Sequence, residues 1–147
     1  MKNDLKKLYS EIIKRHNDSP YHFVNKLTES KDVVRANNPI CGDRFDIFPN
    51  FNEDKITQLH FHGFGCAISK ASSSVLTKTL EGKSIDEALV ICSSFMNLLD
   101  NGSSYTEELP NDFNAFTGVL DFPERYECAV LSWKEMKIFL ELKKSEK

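Results

Sequence analysis

The sequence lacks most of the features that would take a chain out of the ordinary globular class. No apolar run approaches the length needed to cross a bilayer, so a membrane-spanning role is not expected. The opening residues, Met1-Lys2-Asn3-Asp4, run straight into an amphipathic pattern with no signal-peptide core, so a cytoplasmic location is expected. There is no basic block beyond the short Lys143-Lys144 pair, and 19 basic against 22 acidic residues leave a net charge of −3. Nucleic acid rewards clustered lysine and arginine and is therefore not an expected partner. Internal repeats, low-complexity tracts and linkers are missing too. A chain of 147 residues suits one domain, spanning 1–147, that buries about two-thirds of its unfolded surface. Cysteine is scarce, at four residues. Without a secretion signal these thiols belong to a reducing compartment, where metal binding or catalysis explains them better than disulfides.

The apolar pattern that is present gives the elements. Leu5, Leu8, Tyr9, Ile12, Ile13 and His16 recur at helical spacing, so a helix is predicted over 3–16, ended by Asn17-Asp18-Ser19-Pro20. A polar stretch follows, and Val33-Val34 suits a short strand. Phe45 and Ile47, then Leu59 and Phe61, alternate with polar residues around a turn at Asn52-Glu53-Asp54, which predicts an antiparallel hairpin over 43–62. Pro49 within it should mark an edge or a bulge. A helix rich in small residues is predicted over 67–81, with Gly82 suited to its C-terminal cap. Ser84 and Glu87 have capping-box spacing at the head of a helix whose stripe is Ile85, Ala88, Leu89, Cys92, Phe95, Met96 and Leu99. A surface loop is expected from Asn101 to about Asn114. A last helix starts near Pro123 and buries Tyr126, Ala129, Val130, Trp133 and Leu140. The sum is an α+β fold, a small antiparallel sheet of about three strands packed against about four to five helices.

Three short segments carry chemistry. Cys41-Gly42-Asp43 places a thiol and a carboxylate two residues apart in a turn that glycine permits. Gly63-Phe64-Gly65-Cys66 ends a strand and opens a helix, where backbone N–H groups and the helix dipole lower a thiol pKa. Cys128 falls roughly opposite the apolar stripe of the last helix, and Arg125 shares its face one turn earlier. Cys92 lies inside its stripe and reads as a core thiol. His60 and His62 share the non-core face of their strand, and light packing explains them better than metal ligation. His16 and His22 read as a helix-end and a loop residue without identifiable partners. Periodicity alone stops at a candidate metal site of three sulfurs and one oxygen.

Longer motifs extend that reading. Asn38-Pro39-Ile40-Cys41-Gly42-Asp43-Arg44 resembles the NPxCGD signature of the IscU/SufU family of NifU N-terminal-like proteins. Phe61 to Ser69 is similar to its FxGxGCAIS segment, and Phe122 to Ala129 to its FPxRxxCA segment. The opening helix and Gly82-Lys83-Ser84 also resemble the family, so the likeness covers nearly the whole chain in order. A long polar segment around 100–114 and Glu127, where IscU-type scaffolds carry histidine, resemble the SufU branch.

The resemblance implies that Cys41, Asp43, Cys66 and Cys128 are the metal ligands, holding Zn²⁺ or, alternatively, iron or a transient iron–sulfur cluster. Soft sulfur donors suit these over magnesium or calcium, and four protein ligands leave no position for an activated water. It further implies that Cys41 accepts sulfur from a pyridoxal-phosphate cysteine desulfurase of SufS type and that downstream iron–sulfur assembly proteins follow. Arg125 is expected to support the anionic centre electrostatically. Three readings stand side by side: a zinc-dependent sulfurtransferase, a non-enzymatic scaffold that builds a cluster, and a structural zinc module that binds a protein partner.

Overall fold

A computed structural model of the chain describes residues 11–24, 31–40, 42–101 and 111–146. In order these form α1 (Glu11–Asp18), β1 (Val34–Asn38), β2 (Asp43–Asn52), β3 (Lys55–Phe64), α2 (Ala67–Leu80), α3 (Ile85–Asn101), the single-turn α4 (Asn111–Asn114), a 3₁₀ helix (Ala115–Asp121) and α5 (Pro123–Ser145). The expected α+β architecture is therefore what the chain adopts, with three antiparallel strands and five α-helices among the described residues.

The sheet has the order β1-β2-β3, and the β2–β3 hairpin turns at Glu53-Asp54 as the alternation predicts. Pro49 sits in the central strand, yet its position obeys the rule that proline avoids a full ladder. It lies two residues beyond the last β1 pairing, Val34 with Ile47, and just before a register shift at Asn50/Phe51. Phe45, Ile47, Leu59 and Phe61 are all fully buried and pack in one cluster with Ile68, Val75, Phe95 and Trp133. The helices thus cover one face of the sheet.

Small side chains decide how α2 meets α5. Ser72, Ser73 and Ser74 are all buried, which lets the two helices approach closely. The Trp133 indole N–H donates to Ser72 Oγ at 2.9 Å, Ser72 donates onward to the Ala129 carbonyl, and Ser73 bonds Ser132 at 2.7 Å. Trp133 in turn stacks on Phe95 at 4.2 Å. Ser72→Ala should therefore cost about 2 kcal/mol in denaturant unfolding, because it strands a buried indole N–H. A loss within about 0.5 kcal/mol would show that this bond carries no net stability.

The caps follow the sequence. Glu87 N–H donates to Ser84 Oγ at 3.1 Å and Ser84 N–H donates to Glu87 Oε1 at 2.9 Å, the reciprocal capping box. Gly82, at φ +88°, ends α2 in the left-handed region.

Four expectations change. α1 runs to Asp18, two residues past the predicted end, with Ser19 N–H still bonding Arg15 O at 2.9 Å before Pro20; residues 3–10 of the predicted helix lie outside those described. The polar stretch expected as loop to Asn114 instead ends in α4, and Phe113 and Phe116 are fully buried edge-on to Phe95. Phe113 within that stretch and Phe116 just after it carry the burial, while Asn114 between them stays exposed; residues 102–110 lie outside the description. α5 is not a one-stripe helix in its first half, since Cys128 to Trp133 are buried all round, whereas Tyr126 is only partly so. The stretch after Pro20 is not merely polar coil: Val24 N–H donates to Phe61 O at 2.9 Å and lays residues 22–24 along β3.

Candidate metal centre

One end of the sheet brings three of the predicted site residues together. Asp43 opens β2, Cys66 precedes α2, and Cys128 lies in the second turn of α5. One ligand atom from each lies within 4.8 Å of the others, and among the described residues this is the sole group of three such side chains. Cys41 lies outside the described residues. Its neighbour Gly42 takes φ +78°, and the Gly42 N–H donates to Asn38 O at 2.8 Å, closing β1 onto β2 as the glycine in the motif requires.

Local sequence explains the approach. Asp43 Oδ1 accepts the Cys66 backbone N–H at 3.0 Å, tying the first residue of β2 to the head of α2. Glycine is needed on both sides of Phe64. A Cβ on Gly63 would stand 2.1 Å from Arg44 O, and one on Gly65 would stand 2.6 Å from both Asp43 Oδ1 and Ser69 Oγ. Ser69, buried behind Cys66, donates its hydroxyl to Cys66 O at 3.1 Å and lies 3.7 Å from Cys66 Sγ. Sequence reasoning named the glycines only as turn residues and missed Ser69; the i, i+3 spacing from Cys66 at a helix start was the available signal.

The electrostatics separate the thiols. The hydrogen bond shared with Cys128 holds Cys66 down to about 5; Ser69 adds in the same sense, while burial and the Asp43 carboxylate oppose it. Cys128 moves the other way, raised by the same shared bond, by burial and by Asp43. Cys92 is elsewhere, wholly within the core, and burial pushes its thiol up to about 12. Of the three described thiols, only Cys66 is therefore held toward its thiolate.

A metal ion fits this donor set. Asp43 Oδ2 is buried and makes no hydrogen bond, although an orphaned carboxylate oxygen is costly to bury. One Asp43 carboxylate oxygen lies within 4.8 Å of both thiol sulfurs, a soft combination that suits zinc or iron.

The histidines lie apart from this centre and have partners that the sequence did not disclose. His16 bridges Ser74 at 2.7 Å and Asp112 at 3.0 Å. His22 contacts Leu59 O and Glu81 and stacks on His60, while His62 Nδ1 faces Val24 O at 2.8 Å. Light packing, the expectation for His60 and His62, matches these contacts. Arg125 is partly buried, one turn before Cys128 on α5.

Residues 8–138 match the NifU-like N terminal domain. The chain belongs to that family. Its relatives include an iron–sulfur cluster assembly scaffold protein IscU from Streptococcus pyogenes serotype M1, 34% identical and covering 90% of this chain and 82% of the relative. The zinc-dependent sulfurtransferase SufU of Bacillus subtilis is 35% identical over 90% of this chain and 89% of its own. Among solved structures, FiSufU of Fervidobacterium islandicum AW-1, a candidate scaffold for the SUF system, superposes with a TM-score of 0.80 at 30% identity. That alignment covers 92% of this chain and 98% of FiSufU. A NifU-like N-terminal protein from Brucella abortus, 18% identical, shares the fold at a TM-score of 0.85, with 99% and 100% of the two chains covered. Among the described residues no helix is long and apolar enough to cross a membrane.

Proposed function

We propose that this chain is a zinc-holding sulfur acceptor of iron–sulfur cluster assembly, taking persulfide sulfur from a pyridoxal-phosphate cysteine desulfurase. The observation that carries this reading is the buried Asp43 carboxylate, one oxygen of it unbonded, whose ligand atom lies within 4.8 Å of the thiols of Cys66 and Cys128. The Bacillus subtilis relative, whose name is zinc-dependent sulfurtransferase, supports it.

Cys41, Asp43, Cys66 and Cys128 are the proposed ligands. Zinc supplies charge that keeps coordinated thiols ionised, and sulfur exchange requires a thiolate. Cys41 is the proposed acceptor: its thiolate attacks the terminal sulfur of the desulfurase persulfide, a new S–S bond forms, and the desulfurase cysteine leaves as its own thiolate. No oxidant is needed, because the sulfane sulfur already carries the oxidation level. Asp43, Cys66 and Cys128 hold the other positions, with Asp43 fixed by the Cys66 N–H. Downstream assembly proteins would then take the sulfur.

Three thiolates and one carboxylate against Zn²⁺ leave a formal charge of about −2, which repels an anionic persulfide. Arg125, one turn from Cys128 and always charged, is the proposed counter-charge. Arg125→Ala should keep its zinc yet activate the desulfurase about tenfold less, roughly 1.4 kcal/mol. Cysteine turnover by the desulfurase, measured with wild type, variant and no added protein, tests both points. No activation by wild type would remove the acceptor reading, and full activation by the variant would remove Arg125.

A cluster-building scaffold on the same ligands is the second reading, favoured by the name of the Streptococcus pyogenes relative. Glu127 speaks for the acceptor: it is exposed and paired with Lys134 at 3.5 Å, on the position where a scaffold-type histidine would stand. Iron content and colour after anaerobic reconstitution separate the two.

A further inference from the structure

Ser69 sits against the centre without being one of its proposed ligands, and its hydroxyl has a choice of partners. It lies in the first turn of α2, three residues past Cys66, and is only 1% exposed. Bulk water does not serve a hydroxyl at that depth, so its proton and lone pairs need partners within the protein. Two of them lie on one residue. The hydroxyl donates to Cys66 O at 3.1 Å, and the Cys66 thiol donates to Ser69 Oγ over 3.7 Å. Gly65 leaves the oxygen its place, since a Cβ there would stand 2.6 Å from it.

This pattern belongs to the protonated thiol. A sulfur that binds a metal has given up its hydrogen and accepts only. The contact with Ser69 then survives if the hydroxyl supplies the proton. Turning the hydroxyl hydrogen about its C–O bond achieves this, because that hydrogen rotates to suit its surroundings. The carbonyl it leaves is not orphaned. Cys66 O also accepts the Lys70 N–H at 3.0 Å, the first bond of α2, so the serine bond to it is the dispensable one. A hydrogen bond to an ionised acceptor is roughly twice as strong as one between neutral groups. Metal-bound thiolate therefore wins the proton over the carbonyl.

We propose that Ser69 is a positioning residue that donates its hydroxyl hydrogen to the metal-bound Cys66 sulfur and keeps that thiolate on the metal while another leaves. The inference rests on the metal-holding reading of the centre given above. A donor on sulfur draws charge from it and lowers its nucleophilicity. Cys66 is then the anchoring thiolate, tied by its N–H to Asp43, by its carbonyl to Lys70 and by its sulfur to Ser69. Electrophiles that reach the centre, persulfide sulfur included, are turned away from it.

The test is site-resolved alkylation of the zinc-loaded full chain by iodoacetamide in wild type, S69A and S69T, with zinc content measured alongside. Peptide mass spectrometry reads the rate at each cysteine. S69A should hold its zinc and alkylate at Cys66 about fivefold faster than wild type, the rate equivalent of one ordinary hydrogen bond. Cys128 should stay near its wild-type rate, whereas a merely loosened centre would speed both sulfurs together. S69T keeps the hydroxyl and should return Cys66 to the wild-type rate. The inference is overturned by an unchanged Cys66 rate in S69A, by equal acceleration at Cys66 and Cys128, by loss of zinc from S69A, or by S69T behaving as S69A. Wild type that holds no zinc would remove the reading of the centre and this inference with it, an outcome that zinc analysis of wild type separates from the others.

Discussion

Serine at position 66 or 128 is expected to take zinc content from about one per chain to a small fraction of that. Both sulfurs lie within 4.8 Å of an Asp43 carboxylate oxygen, and Cys128 is almost completely buried. A hydroxyl of similar size fills the space but is a poor soft-metal donor, so loss of binding is separated from loss of packing. Binding to the folded state alone adds about 4 kcal/mol at a thousandfold excess over Kd, and losing that should lower Tm by roughly 10 °C for a chain of this size. The fold should survive, because its aromatic core around Phe95 and Trp133 does not touch the centre's chemistry. Cys92→Ala is the control. That thiol is wholly buried in the core and its pKa is pushed up to about 12 by burial, so the variant should lose about 1 kcal/mol of packing and no zinc. Elemental analysis showing full zinc in both serine variants, and loss only in Cys92→Ala, would reverse the assignment.

The second large effect is expected from a single methyl group. Gly65→Ala places a Cβ 2.6 Å from Asp43 Oδ1, 2.6 Å from Ser69 Oγ and 3.0 Å from Phe45 Cε2. Phe45 is locked in the core, so Asp43 and Ser69 must move. Asp43 is the residue whose position the Cys66 N–H fixes and whose carboxylate lies with the two thiols. Overpacking of this kind costs about 2–3 kcal/mol, and the displaced carboxylate should weaken zinc by at least about tenfold, or 1.4 kcal/mol. Gly42→Ala makes the contrast. It has open space around it but a φ of +78°, so backbone strain of about 1–2 kcal/mol is expected without a direct push on Asp43. Competition titration with a chromophoric chelator reads the zinc term and urea unfolding reads the stability. Wild-type values for Gly65→Ala in both would show that the site is more forgiving than its geometry.

Elements with a strong local signal were legible in the chain. The hairpin came from two-residue alternation, α2 and α3 from helical spacing, the capping box from Ser84 and Glu87, and the core role of Cys92 from its place on a stripe. Asp43, Cys66 and Cys128, which the structure brings together, were picked out through motif resemblance more than periodicity. The stripe argument for Cys128 does not hold, since α5 is buried all round there and Cys128 with it; what distinguishes Cys128 is that its sulfur lies with Cys66 and Asp43. Less legible were long-range contacts. Nothing local announces that His16 will bond Ser74, 58 positions away, or that Glu81 will take the Leu59 N–H and the Tyr21 hydroxyl. The stretch from Asn101 to about Asn114 looked like a surface loop, yet Phe113 near its end buries completely, as does Phe116 just beyond it, since tertiary packing outweighs local polarity.

The most direct test of sulfur acceptance is peptide mass spectrometry after incubation with a cysteine desulfurase and cysteine. The account predicts one added sulfur on the peptide containing Cys41, removable by reductant, and none on Cys92. Added sulfur on Cys66 or Cys128 and never on Cys41 would contradict it.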